Sequence, residues 1–288
     1  MKDYMVRGTA ANDELRVFAC TSAELVEKAR SIHDTTPVVT AALGRLLSAA
    51  TMMGSMMKGE KDVLTLNLNG DGPVGAVCVT ANSKGDVKGF VNNPYVDIPL
   101  KPNGKLDVSG AVGKGFLNVI RDTGMKEPYN SSTELVSGEV GDDLSYYFAV
   151  SEQTPSSVGV GVLVDVDRTV LCAGGFIVQV MPDASEETIS GLEKNISKLS
   201  SVTDMLRKGL TPEEVLQVVL EGFDVQIMEK RPIFFDCDCN REKVERAIIS
   251  VGSKELQSMI DEGKPVETEC RFCRKKYVFE IDDLKKML

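Results

Sequence analysis

Four cysteines near the C-terminus constrain this chain more than any other feature. Cys237-Asp238-Cys239 and Cys270-Arg271-Phe272-Cys273 form two close pairs with thirty residues between them. Thiolates one or two residues apart reach the same metal ion, and two such pairs complete a tetrahedron of sulfurs around Zn²⁺. The spacing therefore predicts one zinc ion per chain, held by Cys237, Cys239, Cys270 and Cys273. A four-thiolate site is closed and leaves no open position for substrate. It contributes folding free energy instead, on the order of 10–16 kcal/mol in small zinc peptides. The segment around the cysteines needs that help. A helix over Arg241–Ile249 offers Val244 and Ile248, Leu256 follows, and Tyr277-Val278-Phe279 reads as a terminal strand. That is too little apolar material for a domain of this size to fold unaided.

Spacing alone fits an inert zinc ribbon. The C-x-C half points the other way. Ribbons ordinarily use two C-x-x-C knuckles, and a disulfide closed over so short a ring departs from preferred geometry. Strained disulfides are the labile, regulatory ones. Zinc also holds sulfur as thiolate, the form that oxidants attack. Oxidation would remove all four ligands at once, so a chemical event here would become an unfolding event.

The remaining classes are poorly supported. Net charge is −10, from 33 basic and 43 acidic residues, which disfavours a general nucleic-acid binder. The cysteine segment from Asp236 to Leu288 carries eleven Lys and Arg against twelve Asp and Glu, a net of −1, so a static zinc-ribbon partner of the translation machinery lacks its basic surface. No apolar run reaches the roughly 18 residues of a membrane span, and the start Met1–Arg7 has no signal-like core. A cytoplasmic location without membrane partners is the expectation. Clustered cysteines in a reducing cytosol are metal ligands or redox groups rather than permanent disulfides. A thiol oxidoreductase would place Cys270-x-x-Cys273 at a helix N-terminus on a βαβ scaffold, whereas here the motif precedes a strand. His33 is the one histidine and reads as core or cap, and there is no G-x-S-x-G, so no enzymatic activity is expected. Gly113-Lys114-Gly115 and Gly70-Asp71-Gly72 are too short for phosphate loops. Cys20, Cys78 and Cys172 lie in apolar strand contexts and read as small buried hydrophobes. The methionines at 52–57 read as core, with an adaptable binding surface as the other reading.

Upstream, the pattern predicts an α+β fold: a large N-terminal sheet-plus-helix domain over 1–181, a helical linker over 182–231 and a small C-terminal zinc-binding domain over 232–288. A first strand is predicted at Glu14–Ala19. Thr21-Ser22-Ala23-Glu24 reads as a capping box for a helix to about His33. Thr36-Pro37 opens a second helix to about Lys58, apolar nearly all round and therefore buried, with Gly44 and Gly54 allowing close approach. Strands are predicted at Leu64–Leu68, Val74–Thr80, Val87–Val91, Lys105–Val108, Gly115–Val119, Val158–Val164 and Thr169–Met181, with a helix over Glu139–Glu152. Ile189, Leu192, Ile196, Leu199, Val202 and Leu206 repeat at helical spacing up to Gly209, and Thr211-Pro212-Glu213-Glu214 caps a further helix ending near Gly222. The first linker helix is rich in Ser and Thr, mediocre helix formers, so it depends on packing.

The sequence as a whole resembles the Hsp33 family, the redox-regulated holdase chaperones. The resemblance rests on the two cysteine pairs and, in order, on Ala42–Leu47, Gly70–Pro73, Ser137–Glu139, Asp143–Phe148, Ser151–Ser156 and Ala173–Gly175. It implies a reduced, zinc-bound, inactive form. Oxidative stress would form disulfides Cys237–Cys239 and Cys270–Cys273, release zinc and unfold the linker. The chain would then dimerise and hold unfolding client proteins without ATP. The resemblance assigns no individual client-binding residues.

Overall fold

The structure, a computed structural model, describes residues 2–288. The chain forms two compact units, Met1–Phe235 and Asp236–Leu288. In chain order the larger unit holds β1 (Tyr4–Ala10), β2 (Leu15–Thr21), α1 (Ala23–His33), α2 (Pro37–Gly54), β3 (Val63–Gly70), β4 (Ala76–Asn82), β5 (Val87–Val91), α3 (Val108–Val112), β6 (Gly115–Asp122), β7 (Tyr129–Glu134), α4 (Val140–Val150), β8 (Ser156–Val164) and β9 (Val170–Val180). Then come α5 (Glu186–Ile196), α6 (Val202–Arg207), α7 (Pro212–Val219) and β10 (Val225–Pro232). The smaller unit holds α8 (Arg241–Ile249), α9 (Ser253–Asp261), β11 (Val266–Glu269), β12 (Lys276–Phe279) and α10 (Ile281–Met287). Helix and strand take 33% and 30% of the chain, and every named strand pairing is antiparallel, so the fold is α+β.

The strands of the larger unit form two five-stranded sheets, ordered β10-β1-β2-β9-β8 and β5-β4-β3-β6-β7. Helix α2 touches strands of both and all but Pro37 and Arg45 of its eighteen residues are buried. Among the described residues it is the one helix long and apolar enough to cross a membrane, and 89% of it is buried inside the protein. A side chain at Gly44 would stand 2.6 Å from Val26 Cγ1 and 2.9 Å from Val162 Cγ2, so only glycine lets α1 and β8 close on α2 there. The outer face of the first sheet is covered separately. Val6, Leu15, Val17 and Val178 meet Leu192 of α5, Leu206 of α6 and Leu216 of α7 in a second apolar cluster. The linker helices thus lie on the sheet within the larger unit.

Several local expectations change. No strand forms over Lys105–Val108: residues 105–107 are irregular and lead into α3, whose start is fixed by the Asp107 side chain accepting the Gly110 amide. The helix expected up to Gly209 breaks at Ser197–Ser201, where Ser201 caps α6 anew. Thr211 and Glu214 make the expected reciprocal capping box. Met52 and Met53 are core, whereas Met56 and Met57 are only half-buried. His33 is core, its Nε2 2.9 Å from the Gly89 carbonyl. Cys20 and Cys172 are buried and Cys78 is half-buried.

No side chain at Thr21 or Ser22 caps α1. That cap comes from Asp3, whose Oδ2 accepts the Leu25 amide at 2.7 Å. Asp3 is 5% exposed and its Oδ1 has no partner. Burial, then the Glu24 charge, push its carboxyl up to about 6, against the lowering effect of the capped amides. A carboxyl raised on folding adds stability below its unfolded value near 3.8, and loses it as pH rises through the folded value. Asp3→Asn keeps an acceptor and removes the titration. The stability difference between wild type and variant should therefore change by on the order of 3 kcal/mol between pH 4 and 7, in the variant's favour at the higher pH. Urea unfolding followed by circular dichroism measures it, and parallel pH profiles would refute the assignment.

Candidate metal centre

The C-x-C arm is extended chain that runs into α8. Asn240 caps that helix, its side chain accepting the Lys243 amide at 2.8 Å, so Cys239 sits one residue ahead of the capped helix start. The C-x-x-C arm is the turn between β11 and β12. The Cys270 amide donates to the Lys275 carbonyl at 2.9 Å and the Arg274 amide donates to the Cys270 carbonyl at 2.8 Å. Arg274 takes a left-handed φ of 60° to close the turn. A hairpin turn, not a helix N-terminus, carries Cys270 and Cys273, so the dithiol lacks the setting of a thiol oxidoreductase.

These two arms bring all four predicted sulfurs together. Their Sγ atoms all lie within 4.8 Å of one another. Cys237 Sγ is 3.7 Å from Cys270 Sγ, and Cys239 Sγ is 3.4 Å from Cys273 Sγ. A tetrahedron with Zn–S bonds near 2.3 Å has S···S edges of about 3.8 Å. Four free thiols converging at that spacing fit a tetrahedral, sulfur-seeking metal ion, and all four are half-buried.

The surroundings of the sulfurs are unequal. Burial pushes the Cys237 thiol well up, while the Cys239 amide beside it works against that. Burial also raises Cys273, opposed by the Lys275 amide. Cys239 is the exception. Burial raises it, but the Tyr277 hydroxyl and the neighbouring sulfurs outweigh burial and hold it below the usual thiol range. Tyr277 Oη donates to Cys239 Sγ at 3.1 Å, and that bond, with burial behind it, raises the phenol. Sequence reasoning placed Tyr277 in a strand but gave it no role. The available signal was period-two alternation, which puts Tyr277 and Phe279 on one face, both buried. Behind the sulfurs the unit's core is five buried side chains, Ile248, Leu256, Tyr277, Phe279 and Leu284.

Comparison with known proteins fits this geometry. A family profile described as Hsp33 protein matches residues 3–280. The chain belongs to the Hsp33 family. It is 55% identical to the 33 kDa chaperonin of Lachnoclostridium phytofermentans, covering all of this chain and 99% of that protein. It is 50% identical to the 33 kDa chaperonin of Caldanaerobacter subterraneus, with 100% and 98% covered. Among solved structures, the 33 kDa chaperonin (heat shock protein 33 homolog) of Thermotoga maritima superposes with a TM-score of 0.91 at 38% identity, covering 100% of this chain and 98% of that one. The chain is an Hsp33-type chaperone, and its relatives carry the name of a chaperonin rather than of an enzyme. Family membership implies binding of unfolded client proteins. Among the described residues, the cysteine cluster is the group placed to hold a metal ion.

Proposed function

We propose that this chain is a redox-regulated, ATP-independent holdase of the cytoplasm, silent while reduced and zinc-loaded. The observation that carries the reading is the convergence of four thiols, from one C-x-C and one C-x-x-C arm, within 4.8 Å in a unit with only five buried apolar side chains. Bound Zn²⁺ would keep Cys237, Cys239, Cys270 and Cys273 as thiolates and supply most of the folding free energy of that unit. Oxidation closes Cys237–Cys239 and Cys270–Cys273. Each thiolate pair gives up two electrons to one peroxide, whose O–O bond breaks as the S–S bond forms, and two protons from the solvent complete the two waters that leave. The ligand set is then gone and the small unit loses its main support. Residues 233–235 join it to β10, an edge strand, and are anchored by Ile233 and Phe235 in the main core, so disorder reaches α7 and the linker helices once these two anchors give way. The exposed apolar surface binds unfolding proteins and a second copy of the chain, keeping clients competent for refolding.

The test couples two readouts on one sample. Reduced, zinc-loaded protein should not suppress aggregation of a thermally unfolding client. After warm peroxide treatment it should, with about one zinc released per chain and four fewer accessible thiols. Equal holding before and after oxidation, or zinc retained through complete oxidation, overturns the reading.

A further inference from the structure

The C-terminal end of α2 leaves part of the first sheet uncovered. Beyond Met53, the α2-facing side of that sheet continues with Arg7 and Thr9 of β1 and Arg16 and Phe18 of β2. Here lies an open cavity of about 600 Å³, with Met56, Met57 and Met228 in its walls. A smaller inner cavity of about 130 Å³ shares Arg16, Met56 and Met57 with it and reaches Arg121 of β6, Glu152, Thr154 and Gln179. The redox switch uses none of these residues.

The charges are out of balance. Arg7, Arg16, Lys58 and Arg121 line the two chambers, against Glu152 and Glu229. Arg121 pairs with Glu152 at 2.7 Å. Arg7 pairs with Glu229 at 2.5 Å and donates to the Ser55 carbonyl at the end of α2. Neither Arg16 nor Lys58 makes an ion pair among the described residues. The Arg16 Nε donates at 2.9 Å to Oε1 of Gln179, a neutral amide that is itself 1% exposed and held by Ser156. Burial and the neighbouring guanidiniums of Arg121 and Arg7 lower the Arg16 pKa, which is a measure of how poorly its charge is met. A chain of net charge −10 thus keeps a partly enclosed cation between two others, with the Gln179 amide and the face of the Phe18 ring, 5.6 Å away, but no anion for partners. Such a group is costly until an anion joins it. The Ser151–Ser156 loop, one of the family-like motifs, supplies the inner wall. It holds Gln153 at a left-handed φ of 51° while Glu152 accepts from Arg121 and from the Tyr147 hydroxyl.

We propose that this two-chambered cavity binds a small ligand bearing an oxyanion, its phosphate or carboxylate head between Arg16 and Arg121 and an apolar body against Met56, Met57 and Phe18. The inner chamber has the room of about four liquid waters, enough for one oxyanion. Two planar guanidinium forks match the oxygens of such a head. The thioethers are polarisable and adaptable, suited to an apolar or aromatic body. All these residues lie in the larger unit, so the site is independent of the redox reading.

Calorimetric titration of the reduced, full-length protein tests it, using inorganic phosphate, acetate, phenyl phosphate and phenylacetate. The aryl probes should bind at least about tenfold tighter than their plain counterparts, and the stronger head group identifies the class of ligand. Arg16→Gln should weaken binding of the preferred probe by about tenfold or more, with unchanged zinc content. Met57→Ala, at a half-buried site, should fold and lose most of the preference for the aryl probes. No saturable binding of any of the four probes to the wild type at about 10 mM, equal binding by Arg16→Gln, or an unchanged aryl preference in Met57→Ala overturns the proposal.

Discussion

Removing metal from the reduced, zinc-loaded protein is expected to unfold Asp236–Leu288 and leave the α2-centred core of the larger unit intact. Five buried apolar side chains and two short strands cannot offset the conformational entropy of ordering the whole segment. A metal ion held by the four sulfurs would supply the difference, on the order of 10–16 kcal/mol in comparable peptides. The α2-centred core has no such dependence, because α2 and two sheets close it. Hydrogen exchange should show amides of α8, β11 and β12 losing protection on chelation while those of α2 and β3 keep theirs. Cys239→Ser should mimic chelation, since it deletes the sulfur that Tyr277 also holds. Full protection of residues 236–288 in metal-free protein would mean that the unit folds without its ligand set. The switch would then have no energetic basis.

The same contrast explains what the sequence made legible. Helix α2 and strand β3 were readable because burial follows their apolar pattern residue by residue: Leu64, Leu66 and Leu68 alternate and are all buried. The four clustered cysteines were readable because ligand spacing is a local property. Strand β10 was not. Gln226, Glu229, Lys230 and Arg231 give it no apolar alternation, and it exists because an edge position beside β1 tolerates polar faces on both sides. The polar β7 is hidden for the same reason, at the far edge of the second sheet. Lys105–Val108 misled because Leu106 and Val108 alternate like a strand, whereas an Asp107 cap decides the conformation. The Tyr277 contact depends on hairpin register. The Arg16–Arg121 cavity joins strands of different sheets. Neither arrangement leaves a trace in local spacing.

Leu216→Asp is expected to turn the reduced protein into an active holdase without any oxidant. Leu216 is fully buried and belongs to the cluster that covers Leu15, Val17 and Val178 on the outer face of the first sheet. Replacing it loses the burial of a core leucine, about 2–5 kcal/mol, and adds the cost of enclosing a carboxylate without a partner. Helices α5 and α6 cannot hold the cover alone. Each buries only two residues, Thr188 and Leu192 in one and Met205 and Leu206 in the other, and helices so short have little stability of their own. The cover should therefore come away as a group and expose a broad apolar sheet face. Zinc should stay bound, since no metal ligand is touched. Val218→Asp, on the exposed side of the same helix, controls for the added charge and should leave the protein silent. The informative failure is a Leu216→Asp protein that exposes the sheet by hydrogen exchange yet holds no client. Linker release would then not suffice for activity, and the client surface would have to be sought away from this sheet face.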